Sequence, residues 1–253
     1  MKHLRAFCLL ALVSLFLPLS AQAVNQPFQL TEPVFRSNSY SYRWAGQVFF
    51  TSGRQDYIGS GTVIHPRSVL TAGHNVYDAQ TGWSTDVEFR LGAYGTKVVK
   101  DVYASQLLLL GGYKESADRY GGDSLRAFSY DAAGLVFPSV LVNGSYCRLS
   151  QSAPMLQPPY YRVALGYGAE KHSGDYPLAA VISGYLTSTY GSFYESTSVN
   201  FEGGMSGGPV FSRDAQGVNL VVGIVVSASD DPPAGGIHTM DAALATLIKT
   251  RLP

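Results

Sequence analysis

A single serine within a glycine-rich stretch is the first candidate for chemistry in this chain. Residues 202–211 read E-G-G-M-S-G-G-P-V-F, with Ser206 among four glycines and directly before an apolar run. Glycine accepts positive φ and lets other backbone approach closely, at an entropic cost in the unfolded chain. The stretch is therefore either an ordinary hairpin turn or a tight loop that presents a serine and its backbone N–H groups to a substrate.

A serine that hydrolyses an amide or ester needs a base, an acid that orients the base, and donors for the oxyanion. Histidine is the natural base because its pKa lies near neutrality. His74 has a suggestive setting, because it ends the apolar stretch S-V-L-T-A-G-H. The other histidines beyond the N-terminal leader have no such setting; they are His65, His172 and His238.

Judged from residue types, four acidic residues are candidates for the group that orients the base. Asp131 directly precedes the apolar run A-A-G-L-V-F, where an unpartnered carboxylate would be costly. The competing acids lie in more polar surroundings and are expected to face solvent; they are Asp101, Asp118 and Asp123. Burial cost favours Asp131.

Three short motifs resemble the active-site signatures of the chymotrypsin-like (trypsin-fold) serine proteases. They are T-A-G-H at 71–74, Y-D-A-A-G-L-V at 130–136 and G-M-S-G-G-P-V at 204–210. Their order, His then Asp then Ser, is the order of that family. The resemblance extends over roughly residues 45–252. Met205 in place of an acid, together with the absence of flanking cysteines, resembles the bacterial branch that includes the glutamyl endopeptidases.

The resemblance implies a role for each motif residue. Ser206 would be the nucleophile, His74 the base and then the acid, and Asp131 the group that fixes the imidazole. The oxyanion hole would be formed by the backbone N–H groups of Gly204 and Ser206. The family implies a protein or peptide substrate and neither a cofactor nor a metal.

The resemblance is weaker for the residues that would select the substrate. Asn200, six residues before the nucleophile, corresponds to the floor of the primary pocket, and Val226, Ser227 and Ala228 correspond to its wall. His238 is expected near the back of that pocket, where it could favour an acidic side chain or could simply be packed. The cleavage preference stays open.

Short segments rich in β-branched and aromatic residues, separated by Gly, Pro, Asn or Asp, predict an all-β fold. Two series of such segments flank a proline-rich linker at 151–159, which predicts two packed six-stranded antiparallel β-barrels. The first would span 45–150 and carry the His and Asp. The second would span 151–253, carry the Ser and end in a helix over 240–252 that Thr239 or Asp241 could cap. Residues 24–44 are predicted to be an N-terminal arm or a short propeptide, and 111–129 a polar loop.

The first 23 residues have the pattern of a secretory signal peptide, with Lys2 and Arg5 before an apolar run and a small-residue site at 21–23. The rival interpretation is a membrane anchor, but about 14 apolar residues are short for a span of ~20. We therefore expect a secreted or periplasmic protein without a membrane span. Without the leader Cys147 is the single cysteine, so no internal disulfide is expected.

The balanced charge, 18 basic against 18 acidic residues, gives no basic patch that would favour nucleic acid, and a monomer is expected. These observations together predict an exported serine endopeptidase that acts through a His-Asp-Ser triad and an acyl-enzyme. Two alternatives stay open. One is a non-catalytic binding module on the same fold, and the other is an esterase or other acyl hydrolase with the same triad.

Overall fold

The computed structural model describes residues 24–37 and 41–252. The predicted signal peptide lies outside the described residues. In chain order the strands are β1 (Phe28–Gln29), β2 (Ala45–Ser52), β3 (Gln55–His65), β4 (Ser68–Thr71), β5 (Tyr77–Asp78), β6 (Gly82–Trp83), β7 (Thr85–Leu91), β8 (Lys100–Tyr103), β9 (Gln106–Leu109), β10 (Ala133–Val136), β11 (Arg148–Leu149), β12 (Arg162–Gly166), β13 (Leu178–Ile182), β14 (Thr187–Tyr190), β15 (Phe193–Ser196), β16 (Pro209–Arg213), β17 (Asn219–Asp230) and β18 (Pro233–Thr239). The α-helices are α1 (Glu32–Phe35), α2 (Tyr113–Tyr120), α3 (Leu125–Phe128) and α4 (Ala242–Arg251), and 3₁₀ turns occur at Ser41–Trp44, Gly73–Asn75 and Ala153–Leu156.

Sixteen of the strands form two curled sheets, and β5 and β6 pair as a separate two-stranded ribbon. The two large sheets confirm the predicted fold class of two antiparallel β units followed by a C-terminal helix. The first sheet has the order β8-β7-β2-β3-β4-β10-β9, and the second has β1-β13-β12-β16-β17-β18-β15-β14 with β11 beside β17. Seven and nine strands are therefore described where six each were predicted. The short β11 pairs with β17 in parallel, the exception to the antiparallel pattern among the described strands.

The N-terminal arm is built into the second sheet. β1 pairs with β13, with Phe28 opposite Ala179. Asn25 donates its backbone N–H to the Ser198 carbonyl at 2.9 Å, and Phe35 of α1 is completely buried. Residues 24–36 therefore contribute both strand pairing and core packing.

The predicted polar loop at 111–129 contains two helices, so the loop prediction was wrong over 113–120 and 125–128. α2 buries Tyr113 and Ala117 in a small cluster with Tyr77, and this burial stabilises a segment whose composition is mostly polar. α3 begins at the cap Ser124, whose Oγ accepts the Ala127 N–H at 3.1 Å. The C-terminal helix α4 begins in the same way at Asp241, one of the two predicted caps.

Apolar side chains from both sheets pack into one shared core. Leu70 and Ala132, at the ends of β4 and β10, belong to the same buried cluster as Leu165 of β12 and Phe211 of β16. Because interiors pack densely, this shared cluster fixes one sheet against the other. Loops from the two sheets can therefore hold a constant relative position.

Candidate active site

Strand pairing brings His74 and Asp131 to the same end of the first sheet. β4 and β10 are antiparallel, with Thr71 opposite Ala133. His74 follows β4 in a 3₁₀ turn, and Asp131 lies two residues before Ala133. In an antiparallel pair, the residues after one strand and before its partner meet at one edge.

Asp131 makes two hydrogen bonds to His74. Its Oδ2 lies 2.7 Å from His74 Nδ1, and its Oδ1 accepts the His74 backbone N–H at 2.9 Å. Asp131 is completely buried, whereas the His74 side chain remains 32% exposed. Burial lowers the pKa of His74, but the charge of Asp131 and its hydrogen bond raise it, so that the pKa lies above the ordinary 6.5.

The competing acids lie elsewhere. Asp118 accepts the Tyr77 hydroxyl at 2.7 Å and pairs with Lys114 on the surface. Asp101 is exposed on β8, and Asp123 is exposed at the rim of the cleft described below. Among the four acids considered from the sequence, Asp131 is the one that contacts His74.

The loop that carries Ser206 is docked onto the first sheet. The Ser206 carbonyl accepts the Ser60 N–H at 2.8 Å and the Asn75 side-chain amide at 3.0 Å. Ser60 Oγ donates to the Gly204 carbonyl at 2.7 Å. Three hydrogen bonds from the sheet that carries His74 therefore position a loop that belongs to the other sheet.

The backbone of this loop leaves two N–H groups unused. The Met205 N–H bonds to the Glu202 carbonyl at 3.0 Å, and the Gly207 N–H bonds to the Val225 carbonyl at 2.7 Å. The N–H groups of Gly204 and Ser206 find no acceptor among the residues that the structure describes. Gly204 has a φ of +97°, a conformation that side-chain-bearing residues rarely adopt. The two amides predicted for the oxyanion hole are thus available.

His74 and Ser206 line one cleft of about 610 Å³. The predicted wall residues Val226, Ser227 and Ala228 all line it as well. Four carboxylates also line the cleft; they are Asp78, Asp123, Glu170 and Glu202.

The other two predicted substrate-binding residues do not line this cleft. Asn200 is 3% exposed and donates its side-chain amide to Asp230 Oδ1 at 2.6 Å. His238 is completely buried on β18, opposite Phe193, and neither ring nitrogen has a hydrogen-bond partner among the described residues. Burial lowers the pKa of His238, which favours an uncharged ring. A buried, neutral ring outside the cleft is poorly placed to bind an acidic substrate side chain.

Four residues of the site were missed by sequence reasoning. They are Ser60 and Asn75, which dock the Ser206 loop, and Glu202 and His172, which are hydrogen-bonded to each other beside it. Asn75 directly follows the T-A-G-H motif, and Glu202 opens the glycine-rich stretch, so both could have been suspected. Ser60 and His172 carry no local signal.

Cys147 is buried and free, and its thiol lies 3.2 Å from Thr62 Oγ1. Burial raises the pKa of this thiol to about 12, which leaves it protonated at neutral pH. Among residues 24–37 and 41–252, no three or more His, Cys, Asp or Glu side chains are arranged so that they could hold a metal ion together.

Residues 59–224 match the model of the trypsin-like peptidase domain, a stretch that includes His74, Asp131 and Ser206. The chain belongs to the trypsin-like peptidase family. The match covers more than half of the chain and confirms the resemblance drawn from the three motifs.

Three solved proteases share the fold of this chain. The protease Anisep from Arthrobacter nicotinovorans is 19% identical, with a TM-score of 0.63, over 82% of this chain and 94% of its own. The thermostable serine protease AL20 from an extremophilic microorganism is 20% identical, with a TM-score of 0.66, over 81% and 94%. A Glu endopeptidase is 19% identical, with a TM-score of 0.65, over 88% and 94%. At these identities the matches show the fold.

No curated protein sequence matches this peptidase. In the described part of the chain, no helix is both long and apolar enough to span a membrane.

Proposed function

We propose that this peptidase is an exported serine endopeptidase that uses Ser206, His74 and Asp131. The observation that carries the proposal is the bond of 2.7 Å between His74 Nδ1 and a completely buried carboxylate, at a cleft that Ser206 also lines. Burial of a carboxylate without a partner costs free energy of folding. Its pairing with a partly exposed imidazole therefore favours a catalytic arrangement over a surface ion pair.

In the proposed mechanism, Ser206 Oγ attacks the carbonyl carbon of the scissile peptide bond and passes its proton to His74 Nε2. Asp131 holds the imidazole by Nδ1–H and stabilises the imidazolium that forms. The negative charge on the carbonyl oxygen is stabilised by the N–H groups of Gly204 and Ser206.

The tetrahedral intermediate then collapses. Its C–N bond breaks, His74 donates the proton to the leaving amine, and the acyl group stays on Ser206 Oγ as an ester. A water molecule then attacks the ester carbonyl and passes a proton to His74. The bond between the acyl carbon and Ser206 Oγ breaks, His74 returns the proton to Oγ, and the acid product leaves. The raised pKa of His74 makes it a stronger base in the first step of each half-reaction.

Ser206→Ala tests the proposal. The variant should keep the wild-type melting temperature but lose labelling by a fluorophosphonate and several orders of magnitude of peptide turnover, because the triad acts as a unit. Ser188→Ala is the matched control, since Ser188 is exposed on β14 and does not line the cleft. Labelling that persists in Ser206→Ala would refute the assignment of the nucleophile.

The same assays separate the two alternatives. A folded wild-type protein that neither labels nor turns over any substrate would favour a binding module. A wild-type protein that labels and hydrolyses esters but no peptide of a random library would favour an acyl hydrolase. Export is tested by detecting, in the culture medium or periplasm, a mature chain that lacks the first 23 residues.

A further inference from the structure

The segment 168–172 packs against the residues that directly precede Gly204, and a buried carboxylate joins the two. The Glu202 side chain is 1% exposed, and its Oε2 accepts a hydrogen bond from His172 Nδ1 at 2.8 Å. The other carboxylate oxygen lies 3.4 Å from the Lys171 backbone N–H. Gly168 lies so close to this carboxylate that a methyl group there would overlap it.

A buried carboxylate needs such partners. Without a partner, this buried carboxylate would have to move, bind water or take up a proton. Glu202 and His172 are 30 residues apart in the chain and belong to different connections of the second sheet. Their bond therefore couples the position of one loop to the other.

The coupling reaches the oxyanion hole through one peptide group. The Gly203 carbonyl accepts the Ala169 N–H at 2.8 Å, and the Gly203 N–H bonds to Glu170 Oε2 at 3.1 Å. The Gly203 carbonyl and the Gly204 N–H belong to the same planar peptide and point in opposite directions. A donor that holds the carbonyl toward segment 168–172 therefore turns the Gly204 N–H the other way.

Met205 cannot fix this peptide by charge. Its side chain is apolar and completely buried in the core of the second sheet. The loop instead uses the carboxylate of Glu202, three residues before Met205, which is hydrogen-bonded to His172.

We propose that His172 and Glu202 are positioning residues for the oxyanion hole. Their hydrogen bond anchors segment 168–172, so that the Ala169 N–H holds the Gly203–Gly204 peptide with the Gly204 N–H free. The inference rests on the proposed function, because the orientation of this N–H affects turnover only if an oxyanion forms there.

The test compares His172→Ala, His172→Gln and the exposed control Ser188→Ala in steady-state peptide hydrolysis. His172→Ala should lower kcat by about 10- to 100-fold with KM within about twofold, because misplacement of one oxyanion donor affects the transition state more than the bound substrate. Inhibition by a peptide aldehyde, whose adduct places an oxygen at the same site, should weaken in parallel. His172→Gln retains a side-chain donor and should recover part of kcat, whereas Ser188→Ala should behave as wild type.

A second arm uses Glu202→Gln and the double variant. If the double variant loses no more kcat than the worse single variant, the two residues act as one unit. The imidazole of His172 is 41% exposed, so His172→Ala keeps the test valid even where Glu202→Gln fails to fold.

The failure of this inference can be distinguished from the failure of the proposed function. A wild-type protein that is not labelled at Ser206 overturns both. A wild-type protein that is labelled, together with a His172→Ala variant that matches its kcat and aldehyde affinity, overturns the positioning role alone. A variant with a lowered melting temperature and unchanged kcat likewise shows a purely structural pair.

Discussion

Alanine at Gly204 would test the geometry of the oxyanion loop most directly. Gly204 has a φ of +97°, and a Cβ there would lie 2.9 Å from the Ala169 nitrogen and closer still to the Tyr167 carbonyl oxygen. Both neighbours are backbone atoms and cannot move aside as a flexible side chain would. The Gly204 amide itself must therefore shift.

The magnitude follows from two separate effects. The positive φ costs a side-chain-bearing residue about 1–3 kcal/mol of stability wherever it occurs. Relief of the overlap requires a displacement on the order of 1 Å, and loss of one oxyanion donor lowers kcat by roughly 10²- to 10³-fold. We expect Gly204→Ala to show both losses.

Gly144→Ala is the matched control, because Gly144 has a φ of +96° but no neighbouring atom within 4 Å of the position that an added methyl group would take. It should lose stability through the same backbone strain and keep full turnover. Melting curves are recorded for both variants, and kcat for one peptide substrate is measured below the melting transition of the less stable variant. Wild-type kcat in Gly204→Ala, or an equal loss of kcat in Gly144→Ala, would refute the assignment of the Gly204 amide.

Three further outcomes are expected from the contacts of the site and the arm. Asp131→Asn should lower kcat by roughly 10⁴-fold because the imidazole takes the wrong tautomer. Asp118→Asn alters a surface network and should leave kcat unchanged; a larger loss in this variant would show that Asp131 is not the orienting acid. Turnover should fall on acidification with an apparent pKa above 6.5, since Asp131 raises the pKa of His74 and the imidazolium cannot accept a proton. A rate that stays flat down to pH 4 would contradict the mechanism. By linkage, the His74–Asp131 pair stabilises the fold fully below pH 6.5 and loses this contribution as pH rises through the raised pKa. Phe35→Ala should lower the free energy of unfolding by about 3–5 kcal/mol in a denaturant titration, because this completely buried ring packs the arm into the core; a loss below about 1 kcal/mol would show that the arm is dispensable, as a removable propeptide would be.

Local patterns in the sequence were sufficient for the long strands and the C-terminal helix, and they named the candidate residues of the site. The β-branched runs predicted most of the long strands, and Asp241 before an apolar, helix-forming stretch predicted the start of α4. The motifs around His74, Asp131 and Ser206 named residues that the structure brings to one cleft or into contact. Each motif could be found because it contains the residue types that its local backbone requires. The polar composition of 113–120 misled the prediction, since the burial that makes α2 helical involves only one face.

The contacts that hold the site were decided by the tertiary structure. Asn75 bonds to the Ser206 carbonyl across 131 residues of chain, and His172 bonds to Glu202 across 30. The burial of His238 also depends on strand pairing, because β18 lies between β17 and β15 in the second sheet. A sequence pattern reports the neighbours of a residue along the chain, whereas hydrogen-bond partners and burial depend on which surfaces pack together after the two sheets have folded.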